Sequence, residues 1–126
     1  MNRHQLREKS VVSVYQCLLL KGNIDNVIED SFNVFESNTI DPYFFKVINN
    51  AIDNKDEYAS YVNQVVNNYK FNRLGYIEQA ILLIACSEFE QKELSASIVM
   101  DEAISIAKKY CDEDAYKLIN VILERI

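Results

Sequence analysis

The chain has 126 residues, 49% of them apolar, and a net charge of −6, enough for one domain with its own core and no metal or disulfide staple. Two glycines and one proline are too few for a β-sandwich or barrel, which spends them on turns, or for a Gly-rich phosphate loop. What remains is an all-α fold, read as one unit over residues 1–126.

Apolar residues spaced three and four apart predict about seven helices. The first runs from about His4 to Leu20, with Val11, Val14, Tyr15, Leu18 and Leu19 on one face, and Gly22 supplies its stop. The second spans about Ile24 to Phe35. Asp41-Pro42 opens the third, Asp as a cap and Pro in the first turn where it has no N–H to lose, and Phe44, Phe45, Ile48, Ala51 and Ile52 carry it to about Asp53. Lys55-Asp56 starts the fourth, with Tyr58, Tyr61, Val62, Val65 and Val66 inside and Asn67-Asn68 at its frayed end. The fifth, Ile77 to about Phe89, is apolar on most faces and therefore central. Ser95 or Ser97 caps the sixth, which buries Ile98, Met100, Ala103, Ile104, Ile106 and Ala107. The seventh, about Glu113 to Glu124, buries Tyr116, Ile119, Ile122 and Leu123.

Most covalent chemistry lacks its parts. The one histidine, His4, stands at the N-terminus rather than beside a nucleophile. Neither a Glu-x-x-His pair for a di-iron centre nor a calcium loop with its turn glycine occurs. Glu88/Glu90, Asp101/Glu102 and Asp112–Asp114 read as solvated faces rather than acid–base pairs. Cys17, Cys86 and Cys111, odd in number and without a Cys-x-x-Cys, read as packed thiols. No apolar run is long enough for a membrane span, and no signal peptide is present, so the expected location is the cytoplasm. These features predict a protein that is not an enzyme and needs no cofactor or metal.

Charge is unevenly distributed. Residues 1–22 hold four bases and one acid, whereas residues 23–60 hold two bases and eight acids. A basic end on an acidic body can orient a polyanion, although a charged first turn is also ordinary.

Three stretches resemble the NusB family of bacterial transcription antitermination factors: RHQLREKSVVSVY at 3–15, YKFNRLGYIEQAILLIACSEF at 69–89, and SASIVMDEAISIAKKYCDEDAYKLINVIL at 95–123. In the third, Ala96, Glu102, Ala103, Ala107, Lys108, Glu113, Asp114, Lys117 and Asn120 fall in register without a gap. The resemblance implies an all-α fold of two small packed helical bundles. It implies pairing with NusE, a small-subunit ribosomal protein, binding of single-stranded boxA RNA in ribosomal RNA leaders, and assembly with other Nus factors on elongating RNA polymerase. RNA contact is implied for Arg3, His4 and Arg7 on the first helix and for Asp114 and Lys117 on the last; the NusE face is implied for Tyr15 and Glu78. Arg3 and Arg7, one turn apart, are expected to face one phosphate track.

This chain departs from the family pattern in several places. Leu118 stands where Phe is usual and cannot stack on a base. Leu83 stands in place of a common Arg, Cys111 and Val121 in place of glycines, and Ser95 in place of Pro. With only about three phosphates neutralised, binding by this acidic chain alone is expected to be weak and to fall with salt; tight RNA binding is therefore expected to need NusE. The departures leave open an interaction module with the same fold and no RNA affinity. An RNA-binding appendage of a ribosomal RNA methyltransferase is a further alternative, one that needs a catalytic domain these residues do not contain. A homodimer through the first helix is also open.

Overall fold

The computed structural model describes residues 2–20, 41–66 and 70–126. Among them are six α-helices: α1 (Arg3–Leu20), α2 (Pro42–Asp53), α3 (Lys55–Val65), α4 (Tyr76–Gln91), α5 (Ala96–Tyr110) and α6 (Glu113–Arg125), with a 3-10 turn at Phe71–Arg73. The helix expected at Ile24–Phe35, the Gly22 stop and the Asn67-Asn68 end lie outside the described residues.

Local chemistry fixes where the helices start. Asn2 Oδ1 accepts from the Gln5 N–H at 2.8 Å while Gln5 Oε1 accepts from the Asn2 N–H at 3.0 Å. This reciprocal cap sets the start of α1 at Arg3, one residue earlier than expected. Asp41, Ser95 and Asp112 cap α2, α5 and α6 by accepting from the N–H groups of Tyr43, Ile98 and Ala115. The end of α4 gives no such signal in the sequence. Lys92 takes the left-handed conformation there, φ 59°, where glycine is usual, and the helix runs two residues past Phe89.

The core is built around α4, buried without a break from Gln79 to Glu88. α1 and α2 pack together against it on one side and α5 and α6 on the other, while α3 touches α2, α4 and α6. The connector before it is pinned by side chains. Asn63 Oδ1 accepts from the Phe71 N–H and Gln79 Nε2 donates to the Leu74 carbonyl, at 2.8 and 2.9 Å.

The buried face of α1 is rotated from the expected stripe. Arg7, Ser10, Val11, Ser13, Val14, Cys17 and Leu18 are buried, Tyr15 is half-buried and Leu19 is exposed. Ser10 and Ser13 enter the core because each hydroxyl donates to its own helix, to the Leu6 and Lys9 carbonyls, leaving no orphan group. On α2, Tyr43 and Val47 are buried and Phe45 is exposed; on α5, Val99 is buried and Ile98 is exposed. The departures at 83 and 118 are apolar for a packing reason: Leu83 is fully buried and Leu118 packs on the core. The three cysteines are free thiols. Burial pushes Cys86 up to about 12 and Cys111 to about 11, the latter helped by nearby Glu78 and Asp112.

Candidate nucleic-acid interface

The expected RNA face begins at the first turn of α1, which contains no acid to meet the helix dipole. Arg3 is exposed, and its guanidinium carbon stands 4.9 Å from the Tyr43 ring centroid and 5.8 Å from that of Phe44. The rings attract its charge, and its N–H donors can still meet an acceptor such as phosphate. No carboxylate pairs with Arg3 among the described residues.

Arg7 does not share that outward face. It is 3% exposed, and its Nε and Nη2 donate to the two carboxylate oxygens of Glu88, each at 2.8 Å. Glu102 lies 3.5 Å from its Nη1, and the guanidinium covers the Phe44 ring at 5.3 Å. The expectation that Arg3 and Arg7 line one phosphate track is corrected here: position 7 falls on the buried stripe with Val11, Val14 and Leu18, so its charge turns inward. Burial opposes the Arg7 charge, but Glu88, and then Glu102, outweigh it and hold its pKa above the ordinary arginine value.

Glu88, expected on a solvated face, is 1% exposed. Besides Arg7 it accepts a hydrogen bond from the Tyr43 hydroxyl at 2.9 Å. Burial and the Glu88 charge raise the Tyr43 pKa well above the usual phenol range, so Tyr43 stays a donor. Glu88 thus fixes Arg7 on α1 and Tyr43 on α2 together, and Tyr43 in turn supports Arg3. Sequence reasoning missed Glu88 and Tyr43.

His4 is half-buried. Its Nδ1 lies 2.5 Å from Glu102 Oε2, and because a carboxylate only accepts, the ring donates through Nδ1–H. Glu102 therefore joins His4 to Arg7. One turn further along α1, Glu8 accepts from Lys109 Nζ at 2.5 Å and from the Tyr110 hydroxyl. Those bonds hold Glu8 below the ordinary carboxylate range and Lys109 above the ordinary ammonium value. Two carboxylates, Glu102 and Glu8, thus tie the polar side of α1 to α5.

The other expected residues stand apart from this cluster. Asp114 is exposed in the first turn of α6, and Lys117 pairs with Glu113 at 2.7 Å on the same helix. Tyr15 packs against the core from α1. Glu78, in the first turn of α4, accepts from the Gly75 N–H at 2.8 Å and so caps that helix. No group of His, Cys, Asp and Glu among the described residues could hold a metal ion.

A model of the NusB family matches residues 4–126. The transcription antitermination protein NusB of Exiguobacterium sp. is 29% identical over all of this chain and 97% of its own length; that of Bacillus subtilis is 26% identical, over all of this chain and 95% of its own. Among solved structures, T. maritima NusB superposes with a TM-score of 0.89 at 21% identity, covering 99% of this chain and 89% of that one. A chain from a complex of antitermination factors NusB and NusE with dsRNA superposes with a TM-score of 0.84 at 23% identity, covering 98% of this chain and 96% of that one.

Proposed function

The chain belongs to the NusB family, and on that premise we propose that it is a transcription antitermination factor that pairs with NusE and binds single-stranded boxA RNA in ribosomal RNA leader transcripts. The pair then joins other Nus factors on elongating RNA polymerase and suppresses termination. The work is assembly, with no bond made or broken, so no catalytic group or cofactor is called for. It takes place on nascent RNA in the cytoplasm, and no described helix is long and apolar enough to cross a membrane.

The observation that supports RNA contact best is the Arg3 guanidinium, lying over the Tyr43 ring and without a carboxylate partner among the described residues. In this reading Arg3 donates to a phosphate and His4 contacts the strand beside it. Arg7 acts from beneath by holding α1 against α4. Asp114 and Lys117 form a second contact at the start of α6, and Tyr15 and Glu78 meet NusE. The protein works as one unit over its whole length.

Fluorescence anisotropy of a labelled boxA RNA, titrated with this protein, with NusE and with both, tests the reading. The expected result is submicromolar binding only in the mixture and none to a scrambled RNA. Arg3→Ala should weaken it about tenfold, as the loss of one charge-assisted hydrogen bond worth ~1.5 kcal/mol implies, and flatten the salt slope by about 0.7. If the mixture binds no better than NusE alone while the two proteins still associate, the chain is an interaction module that has lost RNA affinity.

A further inference from the structure

We infer that Lys109 and Tyr110, at the C-terminal end of α5, extend the RNA face beyond α1, Tyr110 as a stacking platform for a base and Lys109 as a phosphate contact. The inference rests on the RNA reading above and adds two residues to it.

Glu8 places them. It lies one turn beyond His4, on the same side of α1, and its carboxylate holds the Lys109 ammonium at 2.5 Å and the Tyr110 hydroxyl. A strand that meets His4 and continues along α1 by a turn therefore arrives at this pair, whereas Arg3 lies toward α2, over the Tyr43 ring. Both residues are open to it: the Lys109 side chain is 62% exposed and Tyr110 is 41% exposed. The Lys109 ammonium stands 5.5 Å from the Tyr110 ring centroid, and a second pair, Lys108 at 5.5 Å from the Tyr116 ring, borders the same turn. Cations interleaved with aromatic rings are what single-strand binders use, the rings stacking on bases and the cations following the phosphates. Tyr116 packs against the core, which leaves Tyr110 as the accessible ring. Leu118 cannot stack, and Tyr110 supplies a ring on the neighbouring helix.

The anisotropy titration with NusE and boxA RNA separates the possibilities. Tyr110→Leu should weaken RNA binding at least fivefold, in line with the ~1–3 kcal/mol a stacked base contributes, with its urea midpoint unchanged. Tyr110→Phe keeps the ring and should stay within about twofold of the parent. Lys109→Gln should flatten the salt slope by about 0.7. The inference is overturned if Tyr110→Leu binds RNA like the parent. It also fails if Tyr110→Phe loses as much as Tyr110→Leu, since the hydroxyl bond to Glu8 would then be what matters. Equal weakening of NusE association measured without RNA would assign the pair to the protein interface instead. Arg3→Ala serves as the reference: if it weakens binding and Tyr110→Leu does not, only this inference fails, and if neither has an effect, the RNA reading fails with it.

Discussion

Replacing Arg7 with Ala should destabilise the protein by about 3–5 kcal/mol, because it strands a buried carboxylate. Glu88, 1% exposed, would keep only the Tyr43 hydroxyl out of its three bonds. Glu88→Ala should cost a similar amount, since Glu102, 3.5 Å from the guanidinium, is the one carboxylate left to Arg7 among the described residues. A domain of this size is stable by about 5–15 kcal/mol, so either change removes a large share. The double variant Arg7→Met/Glu88→Leu fills the space with apolar groups and should recover most of the loss, since removing both charges leaves neither unpaired. Urea denaturation of the four proteins measures this directly. A loss below ~1 kcal/mol for each single variant, the range of an exposed pair, would show that the pair is solvated in solution. If Arg7→Ala abolishes RNA binding, stability must be measured before a lost contact is inferred, whereas Arg3, exposed, is free of that ambiguity.

Phe44→Ala should cost a further ~3–5 kcal/mol by leaving a cavity in the packed interior. The ring is fully buried, meets Tyr43 edge to face at 4.9 Å, and lies under Arg7 at 5.3 Å. Its removal also uncovers the Arg7–Glu88 pair. The losses from Phe44→Ala and Arg7→Ala should therefore fail to add, with an interaction of about 0.5–3 kcal/mol in a double-mutant cycle. Additivity within ~0.5 kcal/mol would mean that the ring and the ion pair stabilise the fold independently.

Much of the architecture could be read from residue order because its causes are local. Asp41-Pro42 opens α2 and Asp112 caps α6 through their own side chains, and the run from Ala80 to Ile84 marks α4 as central. The candidate site was less legible. Arg7 and Glu88 are 81 residues apart, and nothing near either of them announces the other. A signal did exist: positions 7, 11, 14 and 18 share one helical face, so a basic residue stood on a stripe that otherwise held Val and Leu. Taking Arg7 as part of that stripe would have asked for a buried acid to meet it. Ser10 and Ser13 carry no comparable signal, because they are polar residues that satisfy themselves within α1. Arg3 was legible as an exposed cation, but its support from Tyr43 depends on how α2 packs, which spacing does not reveal.

The unbroken burial of α4 bears on how the molecule folds. Its partners α1 and α2 come from the N-terminal part of the chain, and α5 and α6 from the C-terminal part. If either group detaches, one side of α4 is left facing water, so neither half is a complete folding unit. Opening is then a single cooperative event, and backbone amides in α4 should exchange with deuterium only through it. Their protection should match the free energy from urea, while those in the last turn of α6 should exchange sooner by local fraying. Amides in α4 that exchanged well below that limit would reveal that one half can open without the other. The helix that joins the halves in space is thus also what makes them fold and unfold together.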